Sequence, residues 1–153
     1  MPMTQSEFEK ATDLRALSED IVAKLKRIGK ELGFESAPEF PTNGGKIDLV
    51  WLLNLGHIVG TLPQKVPIVG FEIESSWRTR KHIKGDIFNL LELSPSAGII
   101  LFITKGFQSK SKLAGNLDAA KRYISGFSGI SRLLVWTDED VKEVYHRLLG
   151  FVE

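Results

Sequence analysis

The feature that most constrains the fold is a change in hydrophobic period along the chain. Residues 6–32 carry apolar side chains at helical spacing. The segments 46–53 and 66–74 follow, and they are rich in β-branched, leucine and aromatic residues, which is typical of strands. From residue 77 onward, predicted helices and strands alternate. Adjacent strands pair antiparallel and strands joined through a helix run parallel, so this order predicts a mixed β-sheet flanked by helices, an α/β fold.

The remaining segments complete one predicted domain over residues 1–153, a length that suits a single compact unit. A weak strand is expected at 34–40, where Pro38 and Pro41 cannot donate to a sheet ladder. A basic loop is expected at 105–112. The other predicted elements are helices at 77–93, 113–125 and 139–149 and strands at 97–104 and 131–137.

Composition excludes several classes of protein and leaves nucleic acid open as a partner. The chain has no cysteine, so disulfides and thiolate metal sites are excluded, and a cytoplasmic location is expected. Its polar, acidic start leads us to expect no secretory signal, and it has no apolar stretch of membrane-spanning length, so no membrane partner is expected. The net charge is +1, and a nucleic-acid partner must therefore be recognised by a local patch. Motifs for nucleotide hydrolysis, dinucleotide binding and acyl transfer are missing from the sequence.

Three acidic residues lie at strand ends that the predicted sheet brings together. Asp48 stands near the start of one strand, and Glu72 and Glu74 stand at the end of the next. A hairpin places these ends side by side, about 5 Å apart, and residues two apart on a strand share a face. Carboxylates this close raise one another's pKa values unless a hard cation such as Mg²⁺ joins them. A metal site is predicted, with three unrelated surface acids as the alternative.

The order of these motifs resembles that of the PD-(D/E)XK nuclease superfamily, which includes restriction endonucleases and archaeal junction resolvases. The segments GGKIDLVW, with Asp48, and GFEIESSW, with Glu72 and Glu74, match the family's acids in the second and third strands of an αβββαβ core. The resemblance covers residues 6–104, and the last helix, strand and helix would extend this restriction-endonuclease-like core. It implies an endonuclease that uses Mg²⁺ or Mn²⁺ to hydrolyse DNA phosphodiester bonds. It also implies a homodimer, since cutting two strands needs two sites.

The sequence departs from the family where the motif lysine is expected, because Glu74 stands there. In enzymes resembling this pattern, a second glutamate can bind or orient metal and water, or the lysine can lie on the following helix. Lys81 and Lys84 lie on that predicted helix and are expected to act with Asp48, Glu72 and Glu74 in catalysis. A catalytically inactive nucleic-acid-binding module on the same fold stays open. So does a structural domain in which the acids are incidental.

Basic residues follow the acid pair directly. The stretch WRTRKHIK puts Arg78, Arg80, Lys81 and Lys84 at the start of a predicted helix. A helix N-terminus favours anions, so cations gathered there suggest that phosphate binds. These four residues, with Lys105 of the following basic loop, are predicted to hold the DNA backbone. A solvated charged helix face is the alternative.

Two acids outside the motif are further candidates. Asp86, on the predicted second helix, is either a group that supports the metal ligands or an ordinary helix-surface residue. Glu31, near the end of the first helix, is a candidate for the additional acid that the family often places near the metal. A plain surface role is the alternative for Glu31.

Overall fold

A five-stranded sheet with helices on both faces forms the framework of the molecule. The computed structural model describes residues 4–56, 64–75, 80–93, 95–107, 109–125 and 132–150. The elements in chain order are α1 Gln5–Glu31, β1 Glu35–Thr42, β2 Gly45–Asn54, β3 Lys65–Glu74, α2 Arg80–Leu93, β4 Ala97–Phe102, a 3-10 turn Thr104–Gly106, α3 Lys110–Ser125, β5 Arg132–Thr137 and α4 Asp138–Leu149.

The sheet is mixed, as predicted. Its strands lie in chain order, with β1–β2 and β2–β3 antiparallel and β3–β4 and β4–β5 parallel. Helices α2 and α3 pack on one face, and α1 and α4 pack on the other. The α/β class and the pairing directions are therefore confirmed. No helix within the described ranges is both long enough and apolar enough to cross a membrane.

Two predicted segments differ from the structure for identifiable reasons. β1 runs to Thr42 in spite of its prolines, because it lies at the sheet edge and pairs with β2 alone. The predicted loop at 105–112 is wrong in its second half, since α3 begins at Lys110. The Ser109 hydroxyl accepts a hydrogen bond from the Lys112 main-chain N–H at 3.2 Å, which caps the first turn of that helix.

Burial along β3 is concentrated in its middle, although its first half is continuously apolar. Gly70, Phe71 and Glu72 are buried, whereas residues 66–69 are half-buried. The cause is the length of the neighbouring strand: β4 begins at Ala97, opposite Val69, so earlier residues of β3 pair with β2 alone. The buried centre of the sheet therefore includes a glutamate.

Glycines allow helices to approach the sheet closely at two points. Gly70 and Gly98 are register partners on β3 and β4, and Leu90 of α2 fills the notch above them. A Cβ atom on Gly70 would lie 2.8 Å from Leu90 Cδ2, so a larger residue here would force the Leu90 side chain to shift. On the other face, a Cβ atom on Gly29 of α1 would lie 2.6 Å from Nε1 of Trp51. These contacts fix the heights of α2 and α1 over the sheet.

Candidate carboxylate site

The hydrogen-bond ladder between β2 and β3 stops where Asp48 and Glu72 stand. Its last pair is Leu49 with Phe71. Beyond it, the Asp48 main-chain N–H donates to Glu72 Oε1 at 3.2 Å, and the Ile73 main-chain N–H donates to Asp48 Oδ2 at 2.6 Å. Side-chain carboxylates thus replace main-chain carbonyls as acceptors, and the predicted meeting of Asp48 with Glu72 is observed.

In β2, the alternation of side chains between the two faces of the sheet is interrupted at Asp48. Ile47 packs in the core under α2 and α3, and Leu49 packs in the core on the opposite face. Residues two apart share a face in a regular strand, so the alternation is broken between them. The pairing of β1 with β2 also skips Glu39 and Asp48, and Glu39 has a φ of 50°. Irregularities of this kind re-aim a side chain, and here the Asp48 carboxylate is turned toward β3.

Asp86 of α2 completes a group of neighbouring carboxyls. Glu72 and Asp86 are only 5% and 7% exposed. The Asp86 carboxyl lies within hydrogen-bonding reach of both Glu72 and Glu74. Its Oδ2 is buried and receives no hydrogen bond within the described part of the chain. Two carboxyls can share a hydrogen bond only when one of them carries a proton, so this group requires either a proton or a cation.

Burial raises the pKa of three carboxyls in this group, those of Asp48, Glu72 and Asp86. It raises the pKa of Asp48, with the charge of Glu39 adding to the effect. It raises the pKa of Glu72 to about 7, and the charge of Asp48 adds to it, whereas the hydrogen bond with Asp86 opposes it. It raises the pKa of Asp86 to about 8, and the nearby Glu72 adds to the rise. At neutral pH the protonated forms of Glu72 and Asp86 are therefore substantially populated.

The chemistry of these side chains suits a hard divalent cation. Carboxylate oxygens are the ligands that Mg²⁺ prefers, and the unpartnered Oδ2 of Asp86 is a buried acceptor of that type. A cation would also remove the repulsion that raises the pKa values of Glu72 and Asp86. Over the described residues, however, no three His, Asp or Glu side chains converge in an arrangement that could hold a metal ion. The residue types therefore suit a divalent cation, but the described side chains are not arranged as a formed metal site.

The basic residues predicted at the start of α2 are only partly described. Arg78 lies outside the described residues, and Arg80 and Lys81 occupy the first two positions of α2. The helix therefore starts shortly after the strand that carries Glu72 and Glu74, as the sequence predicts. The contacts expected of these three cations with DNA stay predictions.

Lys84 and Lys105 lie on different surfaces. Lys84 is exposed, and its Nζ atom lies 5.1 Å from the ring centre of Tyr123 on α3. Lys105 is exposed in the 3-10 turn after β4 and lines a cleft of about 360 Å³ together with residues of α1. The structure thus brings Asp48, Glu72 and Glu74 together with Asp86, and it holds the Lys84 ammonium against α3.

Asp86 is the site residue that the sequence reasoning left undecided. It falls on the apolar stripe of α2, at helical spacing with Ile83, Ile87 and Leu90, all of which are buried. An acid at a core position of an otherwise amphipathic helix is the pattern that could have identified it. Glu31 is a different case: it is exposed, about 13 Å along α1 from Val22, which lines the cleft beside Asp48. Glu31 is therefore too far away to join this group.

Comparisons with known proteins identify no relative of this chain. No protein-family model matches it, and neither a curated protein nor a solved structure does.

Proposed function

We propose that this chain is a divalent-metal-dependent endonuclease that hydrolyses phosphodiester bonds in DNA. One observation carries the proposal. Asp48, Glu72 and Asp86 lie at one end of the sheet with raised pKa values, a condition that a bound cation relieves. Carboxylates gathered in this way at the end of two strands are a common means of holding Mg²⁺ or Mn²⁺ beside a phosphate.

Each carboxyl has a role under this proposal. Asp48 and Glu72 would hold the cation, because their second oxygens are left over from the hydrogen bonds between β2 and β3. Glu74 would orient the cation or the attacking water. Asp86, between Glu72 and Glu74, would fix the conformations of both side chains. When bound, Mg²⁺ or Mn²⁺ would supply Lewis-acid chemistry by lowering the pKa of a water and neutralising charge on the phosphate.

The cations have the complementary roles. Lys81 or Lys84 would stabilise the negative charge that develops on the phosphate, in place of the missing motif lysine. Lys84 would have to leave the ring of Tyr123 to do so. Arg78, Arg80 and Lys105 would hold neighbouring phosphates of the DNA backbone; these contacts position the DNA and carry no sequence information.

Kinship with the PD-(D/E)XK nucleases forms part of the proposal. The observed order α1-β1-β2-β3-α2-β4 supports it, because it is the αβββαβ order of that superfamily. Asp48 and Glu72 stand on the second and third strands of this order. A homodimer would provide the two sites that a double-strand cut requires, and the absence of cysteine favours a cytoplasmic location.

A second candidate function is a catalytically inactive nucleic-acid-binding module. Two observations favour this function. The ammonium group of Lys84 lies against α3, and Glu74 occupies the position of the motif lysine. Asp48 and Glu72 also accept hydrogen bonds from the main chain, a purely structural role that needs no metal. Such a module would bind DNA and cut nothing.

Cleavage of DNA tests the proposal directly. Supercoiled, linear and branched DNA are incubated with the wild type in Mg²⁺, Mn²⁺ or EDTA, and products are separated on gels. Asp48→Asn and Glu72→Gln should each lower the rate by roughly 100-fold or more, since each removes a charge from the proposed cation site. Asp118→Asn, an exposed acid on α3, is the matched control and should leave the rate unchanged.

Two results would contradict parts of the proposal. Cleavage that persists in both Asp48→Asn and Glu72→Gln would remove these residues from the site. A wild type that binds DNA and cuts no substrate in either metal would establish the inactive module instead.

A further inference from the structure

The second half of α1 carries a dense group of cations that the carboxylate site does not use. Residues 24–30 read KLKRIGK and contain four basic residues and no acid, in a chain whose net charge is only +1. These four cations line a cleft of about 620 Å³ between α1 and Tyr145 of α4. Asp20 is the one acid among the described residues that line it. Such a concentration of one sign of charge creates a local positive potential that attracts anions.

Most of this positive charge is left without a counter-ion. Lys24 pairs with Asp20 at 2.6 Å, and its Nζ lies 5.7 Å from the ring centre of Tyr145. The other three cations are exposed, and none takes part in an ion pair found in the described ranges. We call this group, Lys26, Arg27 and Lys30, the basic ridge.

The basic ridge is continuous with the cleft beside Asp48. Ser18 and Val22 line that cleft, of about 460 Å³, and they also line a neighbouring one of about 350 Å³ that reaches Lys26. Ser18, Val22, Lys26 and Lys30 recur every fourth residue and therefore form one row along α1. The row is about 18 Å long. It leads from the cleft beside Asp48 to the cations.

We propose that the basic ridge binds the sugar-phosphate backbone of the nucleic acid whose cleavage is proposed for the carboxylate site, an inference that rests on that proposed function. A row of about 18 Å spans about five phosphates of one strand, at roughly 3.4 Å per nucleotide. The cations on α1 would hold the strand on one side of the scissile bond. Those at the start of α2 would then hold another part of the substrate.

The burial of α1 favours a nucleic acid over an anionic membrane surface. A helix that binds a membrane interface inserts an apolar face into the lipid. The apolar residues of α1 at this level, Ile21, Leu25 and Ile28, are 0–2% exposed in the core and are not available for insertion. What α1 offers to a partner is charge, and phosphates held by charge alone are characteristic of backbone recognition.

The salt dependence of DNA binding tests this inference without any cleavage. Binding of the full chain to a fluorescein-labelled DNA duplex is measured by anisotropy in EDTA over a range of KCl concentrations. For the variant Lys26→Ala/Arg27→Ala/Lys30→Ala, the slope of log K against log [KCl] should be less steep by about 2.7, at about 0.9 per lost phosphate contact. The control Lys121→Ala/Arg122→Ala/Arg132→Ala removes the same charge from exposed positions on α3 and β5 and should keep the wild-type slope.

The outcomes separate this inference from the proposed function. A basic-ridge variant with the wild-type slope and affinity overturns the inference, even if the wild type cuts DNA. A slope that falls as expected supports it, even if no metal induces cleavage. Wild-type protein that fails to bind DNA but binds vesicles of phosphatidylcholine and phosphatidylserine, with loss of that binding in the variant, overturns it in favour of a membrane surface.

Discussion

At the scale of single residues, Asp86 is a group whose charge the fold strongly disfavours. Its carboxyl is buried beside two other carboxyls, and its Oδ2 has no hydrogen-bond donor among the described residues. Burial raises its pKa from 3.8 to about 8, so the folded state binds a proton that the unfolded state releases. The resulting loss of stability is absent below about pH 4, grows as the pH rises toward 8, and is complete above that.

Asp86→Asn should therefore stabilise the protein at alkaline pH and have little effect in acid. The amide keeps the shape of the side chain, removes the charge and can donate to Glu72 or Glu74. At pH 9 in EDTA, we expect the free energy of unfolding to rise by up to roughly 6 kcal/mol, since the pKa of Asp86 is raised by about four units and one pKa unit corresponds to about 1.4 kcal/mol. Urea titrations at pH 4 and pH 9 measure this, with Asp118→Asn as the exposed control. An equal effect at both pH values would show that the charge of Asp86 is not the cause.

The sequence could identify only part of this group. Asp48 and Glu72 follow from strand pairing, because a hairpin aligns the start of one strand with the end of the next. The apolar stripe of α2 marks Asp86 as a buried acid. Its meeting with Glu72 depends on where α2 crosses the sheet, and the stripe does not give that position. The interrupted alternation at Asp48 likewise depends on the pairing with β1 around Glu39.

At the scale of elements, the packing of α1 on β2 depends on one glycine. Trp51 Nε1 donates to the Leu25 carbonyl at 3.1 Å, and Gly29, one turn later, leaves room for the indole ring. Gly29→Ala would place a Cβ atom 2.6 Å from Nε1. We expect it to lower the free energy of unfolding by about 1–3 kcal/mol, as overpacked core sites do.

Gly115→Ala provides the matched control for this prediction. Gly115 also lies inside a helix, α3, and nothing stands within 4 Å of a Cβ added there. Alanine should stabilise that position by about 0.5–1 kcal/mol through its helix propensity alone. Chemical denaturation of both variants should therefore give changes of opposite sign. A stabilising Gly29→Ala would contradict the packing described for Trp51.

The sequence predicts the bounds of a helix or strand well where its hydrophobic periodicity is strong. It predicts them less well where contacts with distant parts of the chain determine them. α1, with its long apolar stripe, and the core strands β2 and β4 were located to within about two residues. β1 carries Pro38 and Pro41, and its full length depends on the partner strand beside it. The start of α3 depends on Ser109, which caps its first turn. That turn is rich in lysines, and its composition alone indicates a loop.

At the scale of the whole molecule, the proposed cation should behave as a ligand that stabilises the folded state. Mg²⁺ or Mn²⁺ at 100 times its Kd would add about 2.7 kcal/mol, which corresponds to a rise in Tm of roughly 5–10 °C. The rise should be larger at pH 8 than at pH 6, because protons compete for carboxyls with raised pKa values. Differential scanning fluorimetry measures it.

Controls for this prediction separate specific binding from ionic strength. KCl at matched ionic strength should leave the Tm of the wild type nearly unchanged. Glu72→Gln should show no rise with either metal. A similar rise in the wild type and in Glu72→Gln would mean that the cation binds elsewhere.

The notch formed by Gly70 and Gly98 has a consequence for the carboxyls one step away. Leu90 sits over Gly70, and Asp86, four residues earlier on α2, meets Glu72, two residues later on β3. Four helical residues rise about 6.0 Å and two strand residues rise about 6.6 Å. The two contacts are therefore separated by nearly the same distance along the helix as along the strand. The separation between Asp86 and Glu72 therefore depends on the contact between Leu90 and Gly70, two uncharged residues. A change in the distance of α2 from the sheet at Gly70 would therefore change the affinity for the proposed cation without altering a single carboxylate.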